Sequence, residues 1–263
     1  MNTTLKIIKY ELRDVLRSRW VIVYALLFLL ITDSLFRFGG DSSRVILSLM
    51  NIVLIVIPLV SIIFGSLYLY NSREFIELLL SQPIDRRHLF IGLYCGVALP
   101  LVFGFLLGSG LPFLYFSPGT AGNYSALLMI LGTGAALTFI FIALAFFISV
   151  YNEDRVKGLG ILILTWLFFT IIYDGLVLFV IYSFADYPLE NVVILLSCLN
   201  PVDLGRIVLL IEFDVSAMMG YTGAVFQNFF GSSRGILAAG TSLIIWMMIP
   251  FYLGMKKFVK KDF

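Results

Sequence analysis

Long apolar runs separated by short charged segments organise this chain. Such runs cover Trp20–Phe36, which holds Asp33 near its far end, Val45–Tyr70, Leu89–Tyr115, Tyr124–Tyr151, Leu159–Phe184 and Ile236–Met255. A helix needs about 20 apolar residues to cross a bilayer, so the pattern predicts six spans. A membrane barrel would instead alternate apolar and polar residues in segments of roughly ten. Between the fifth and sixth runs, Pro188–Arg234 holds the short apolar stretches Val192–Leu199 and Ile207–Ile211, bounded by Glu190, Asp203, Arg206, Glu212 and Asp214. Neither spans alone. They read as interfacial or re-entrant helices on the external side, whose backbone must be hydrogen-bonded or shielded by protein. A wandering external loop and an extra pair of short spans are the alternatives.

Composition agrees. Of 263 residues, 60% are apolar and 13% charged, with a mean hydropathy of +1.02; a typical soluble domain is roughly 25% charged. The pattern predicts an all-α integral membrane protein of one domain, 1–263. Charge placement predicts its orientation. Lys6, Lys9, Arg13, Arg17, Arg19, Arg73, Arg86, Arg87, Arg155, Lys157, Lys256, Lys257, Lys260 and Lys261 fall on one side, and only Arg37, Arg44, Arg206 and Arg234 on the other. Positive charge favours the cytoplasmic side, so both termini are expected in the cytoplasm. The chain is then a multi-pass membrane protein.

Three segments fall on that side. The first, before Trp20, has Asn2, Thr3 and Thr4 as helix caps, Leu5, Ile8, Leu12, Val15 and Leu16 near one face, and Lys6, Lys9, Arg13 and Arg17 largely on another. Such a helix lies in the membrane plane against lipid headgroups, with Trp20 as an interfacial aromatic. A plain extension of span one is the alternative. In the second, Asn71 or Ser72 caps a short helix, with Glu74 and Glu77 near its positive end and Phe75, Leu78 and Leu79 as an apolar stripe. Ser81–Gln82 ends it, because Pro83 disfavours helix at the residue before it; Asp85 then caps the helix leading into span three. Full burial of each leucine is worth about 1.5–3 kcal/mol, so a partner protein, the neighbouring span ends or lipid should cover the stripe. The third, Tyr151–Gly158, is a tight link in which Asn152, Glu153 and Asp154 start span five.

Catalytic chemistry is not encoded. The chain has no GxxxxGK[ST] run, HExxH or GxSxG, so ATP would be hydrolysed by another chain. His88 sits among Arg86, Arg87 and Leu89 as an interfacial polar residue, and Met218–Met219 and Met247–Met248 are soft donors that also suit ordinary helix packing. No metal set stands out, Cys95 and Cys198 share no motif, and no nucleic-acid stripe exists. Asp174 is the one charge deep in a long apolar run. A carboxylate there is costly unless paired; it reads as a cargo-path group, a structurally paired group or an interfacial one. In span three Gly92, Gly96, Gly104 and Gly108 allow close helix contact, and Pro58 and Pro100 are sites of bending.

The N-terminal basic helix, the run Glu77-Leu78-Leu79-Leu80-Ser81-Gln82-Pro83-Ile84 followed by Arg86, and the long segment before the last span together resemble the permease subunits of type-two ATP-binding-cassette exporters. Within these the chain is most similar to NosY-like proteins, the membrane subunit of the system that matures nitrous-oxide reductase. The resemblance covers the whole chain. It implies the type-two exporter permease fold, pairing with a second copy, and two cytosolic ATPase subunits that carry ATP and magnesium. It implies a coupling helix over Ser72–Gln82, with Ser72, Glu74, Phe75, Glu77, Leu78, Leu79, Gln82 and Pro83 as its contact residues, and no cofactor in this chain. It implies an external β-helical protein on the segment before the last span, and a role in export or in maturing a copper enzyme with copper or sulfur species. A membrane force transmitter or scaffold that passes no cargo is the alternative.

Overall fold

The computed structural model describes residues 15, 19–39, 42–81, 84–116, 121–184, 190–212 and 233–261. The expected N-terminal helix residues Lys6, Lys9, Arg13 and Arg17 lie outside the described residues, as do Gln82, Pro83, Met218 and Met219. The described elements are helical throughout: α1 Arg19–Phe38, α2 Ser42–Asn71, α3 Arg73–Leu80, α4 Arg86–Phe116, α5 Ala121–Tyr151, α6 Arg155–Leu167, α7 Tyr173–Ser183, α8 Glu190–Cys198, α9 Pro201–Glu212 and α10 Ser233–Lys260. A π turn, Phe168–Ile172, joins α6 to α7. Among the described residues six helices are long and apolar enough to cross a membrane: α1, α2, α4, α5, α6 with α7, and α10.

The arrangement follows from which helices lack a polar face. In α5, the six successive residues Phe141 to Phe146 are all buried. A helix that is apolar all round belongs in the interior, and α5 packs against α2, α4, α6, α9 and α10. By contrast α1, α6, α7 and α10 turn Leu26, Leu30, Leu164, Leu178, Phe179, Ile244 and Ile249 outward. Unbroken apolar surface of that kind is stable only against lipid or another apolar partner. Pro58, Pro100, Pro112 and Pro250 sit inside their helices, as membrane helices tolerate.

Contacts among α1, α4 and α5 turn on aromatic edges and small residues. Phe28 meets Phe105 edge-on at 5.1 Å, and Phe36 meets Phe113 at 5.3 Å. Of the four glycines expected to allow close approach, Gly104 and Gly108 form the seam with α1: a Cβ at Gly108 would lie 2.9 Å from Phe28 Cβ and 3.3 Å from Leu29 N.

Glu190–Cys198 and Pro201–Glu212 are helices, so the wandering-loop alternative does not hold there. Val192–Cys198 and Pro201–Leu210 meet at a bend of 113°, and Val193, Leu204, Ile207 and Leu209 are buried. The pair is a broken span or re-entrant hairpin packed inside the bundle.

The seam makes a checkable demand. Gly108→Val should overpack α1 against α4 and lower the stability of the detergent-solubilised protein by about 1–3 kcal/mol, read as a fall in thermal midpoint. The same change at Gly160, whose Cβ position is open, should be much milder.

Candidate functional site

Helices α2, α5 and α10 end, and α4 and α6 begin, at one pole of the bundle, called here the basic end. Arg73, Arg86, Arg87, Arg155, Lys157, Lys256, Lys257, Lys260 and Lys261 gather there. The peg α3 follows α2 directly. Ser72 makes no side-chain cap, contrary to the expected capping role. Instead the ladder passes through it: Ser72 N–H donates to Tyr68 O at 2.9 Å, and Ile76 N–H donates to Ser72 O at 2.8 Å. The peg ends where Ser81 Oγ–H and N–H turn back to Leu78 O and Glu77 O.

The predicted stripe divides in two. Ile76 is fully buried and Leu79 and Leu80 pack against the bundle core, whereas Phe75 and Leu78 are exposed, Leu78 at 60%. Glu74 and Glu77 are also exposed. The outer face is therefore mixed acidic and apolar, and the neighbouring spans cover the inner one. Ile76 escaped the sequence reading because Phe-Ile and Leu-Leu-Leu offer several apolar stripes on one short helix.

The Asn152–Asp154 link is bonded to the peg. Its carbonyl at Asn152 accepts from Tyr70 Oη at 2.9 Å and from Arg73 Nη2 at 3.4 Å, and Arg73 lies 5.1 Å from the Tyr70 ring centre. Arg155 Nη1 donates to Asn71 Oδ1 at 3.2 Å. Asp154 caps α6 through the N–H groups of Val156 and Lys157, and Asp85 caps α4 through Arg87 N–H. The close fit leaves no room at Gly158, where a Cβ would land on the Tyr70 hydroxyl. The C-terminal end of α10 joins the same cluster: Arg86 Nη1 donates to Val259 O at 3.1 Å and Lys261 O at 2.6 Å, and Lys261 Nζ to Val150 O at 3.2 Å. Sequence gave no pointer to these roles for Tyr70, Asn152, Arg86 and Lys261, because they join positions far apart in the chain. Trp20 is on α1, 68% exposed, with its ring edge-on to Phe64 at 6.4 Å.

Asp174 lies apart from the peg. Its Oδ2 accepts from Arg206 Nη1 at 2.7 Å, and the same nitrogen reaches Asp203 Oδ1 at 3.0 Å. This pair ties α7 to α9. The hairpin bend beside it is likewise bonded: Asn200 Nδ2 donates to Phe169 O in the π turn at 2.9 Å, and Tyr173 Oη to Leu196 O at 2.6 Å. Among the described residues no three of His, Cys, Asp and Glu converge as a metal site, and His88 Nδ1 is 3.7 Å from Asp85 Oδ2.

Comparison with known proteins supplies a family. The profile of the ABC-2 family transporter proteins matches residues 5–263. A Pseudomonas aeruginosa protein named as a probable ABC transporter permease protein NosY is 26% identical over 81% of this chain and 84% of its own length. A Stutzerimonas stutzeri protein of the same name is 24% identical over 97% of this chain and 95% of its own.

The two faces of the peg predict opposite outcomes for one substitution. Ile76→Asp would bury an unpaired carboxylate, costing several kcal/mol, and should abolish a monodisperse peak in size-exclusion chromatography. Leu78→Asp should leave that peak and the thermal midpoint nearly unchanged.

Proposed function

This chain belongs to the ABC-2 transporter family and is a membrane permease subunit of it; from that premise we propose that α3 is the contact through which a cytosolic ATPase drives the bundle. The observation that carries the reading is the divided peg. A helix held by a buried Ile76 and bonded to the Asn152–Asp154 link presents Glu74, Phe75, Glu77 and Leu78 to the outside of the bundle. Exposed Phe and Leu flanked by acids suit a socket that is apolar at its centre and basic at its rim. Gln82 and Pro83 would end the contact, and Ser72 would join it to α2.

In this reading the basic end is cytoplasmic, since positive charge favours that side, and the Lys6–Arg17 segment lies on the same membrane surface. The permease works with a second copy and two ATPase subunits that bring ATP and magnesium. Closure of the ATPase pair pushes on both pegs and shifts the population between bundle states by its differential contact with them. The match to NosY-named permeases over 81% and 97% of the chain supports the finer assignment: ATP-driven export or force on an external partner, a β-helical protein seated on the hairpin side, in the maturation of a copper enzyme. The pairing of Asp174 with Arg206 supports a structural part for it in this.

Two measurements test the reading. Replacing Phe75 with Ala and Leu78 with Asp together should reduce ATPase recovery on affinity purification at least tenfold while the permease inserts normally; undiminished recovery would refute the contact. Leu79, packed inward, is unsuitable for this test. A reporter fused after Phe263 should be active only as a cytoplasmic fusion, and an external signal would invert the bundle.

A further inference from the structure

The last helix is bonded at its C-terminal end and near its middle to parts of the bundle that lie far apart. At the basic end, Arg86, the first residue of α4, donates to Val259 O and Lys261 O and so closes the final carbonyls of α10. Only a short link separates Arg86 from the peg. Toward the other end, Trp246 Nε1 and Ser242 Oγ, one helical turn apart, both donate to Cys198 O, at 3.1 and 3.3 Å. Cys198 is the last residue of α8, immediately before the 113° bend. Trp246 also meets Phe169 of the π turn edge-on at 5.2 Å.

Between these anchorages α10 continues as one helix through Pro250, which gives up a single ladder hydrogen bond. The stretch from Trp246 to Val259 is about 20 Å long at 1.5 Å per residue. It is seated closely on α5: a Cβ at Gly254 would lie 3.2 Å from Phe147 Cα.

We infer that α10 is a strut that couples the peg end of the bundle to the bend of the re-entrant hairpin, with Arg86 and Trp246 as its positioning residues. The inference deepens the proposed function and takes from it the reading of α3 as the driven element. Arg73 and Ile76 of the peg line one small cavity with Phe258 and Lys261, so a displacement of the peg reaches the terminus of α10, which Arg86 holds by two carbonyls. The opposite anchorage has two donors from one helix face on a single carbonyl. An axial or rolling shift of α10 must therefore carry the bend with it or break both bonds. A rival path exists through α5, which packs on α9 directly, and the hairpin has a separate tether in Arg206–Asp174. The strut predicts that the hairpin nonetheless responds to Arg86.

Hydrogen exchange of the permease alone in lipid nanodiscs tests this without any ATPase, so failure of the ATPase contact and failure of the strut are separable. Arg86→Gln should speed exchange of amides 193–204 tenfold or more while α5 amides 137–146 stay as protected as in the unmodified protein. Coupling between sites is reciprocal, so Trp246→Phe combined with Ser242→Ala should loosen amides 259–261 and 76–81. Tyr70→Phe, which breaks a bond at the same pole but not one to α10, should leave the hairpin unchanged. Unaltered hairpin exchange in Arg86→Gln would overturn the inference. So would loosening spread equally through α5, or an equal hairpin response to Tyr70→Phe.

Discussion

Water is absent from the centre of a bilayer, so each interruption of a helix there must be closed by the protein's own donors and acceptors. That constraint organises the structure more than any apolar contact does. At the hairpin bend, donors arrive from elsewhere in the chain: Tyr173 to Leu196 O, and Trp246 and Ser242 to Cys198 O. Asn200 reciprocates, donating to Phe169 O. At the opposite pole the ends of α5 and α10 are closed by Tyr70, Arg73, Lys261 and Arg86. Because each bond joins segments distant in sequence, satisfying the backbone also fixes where the segments sit relative to one another.

The peg is a product of the same rule. Its hydrogen-bond ladder is continuous with α2 through Ser72, and Ile76 is buried against the bundle. A push on its outer face therefore acts on a helix and on a neighbouring link together, not on a loose loop. The apolar surface of α1, α6, α7 and α10 turned outward leaves these helices packed on fewer neighbours than α5 is. They are the elements best placed to shift against the core.

Much of the fold was legible because period and length are strong signals when lipid is the solvent. The six long helices needed only long apolar runs, and the two short stretches before the last span announced themselves by being too short to cross. Charge bias placed the basic end without any tertiary information. What stayed hidden was long-range. Nothing near Arg86 shows that it caps a helix that ends with Lys260. Nor does the sequence around Asp174 reveal Arg206 as its partner. Ile76 was missed for a local reason: with Phe75, Leu78, Leu79 and Leu80 nearby, apolarity alone does not choose the inward side. Capping was half legible, since Asp85 and Asp154 cap as their type suggests whereas Ser72 does not.

The π turn at Phe168–Ile172 gives the fifth span a split azimuth. In that turn Tyr173 N–H reaches back to Phe168 O, which accommodates one residue more than an α-helical turn would. Each residue of an α-helix rotates the face by about 100°, so the extra one swings everything beyond it. The near half aims Trp166 at Ile55 O of α2, and the far half aims Asp174 at the hairpin. Shortening that turn by a single residue would swing the far half by about 100° and point the carboxylate of Asp174 away from its guanidinium, converting a tether into a stranded charge.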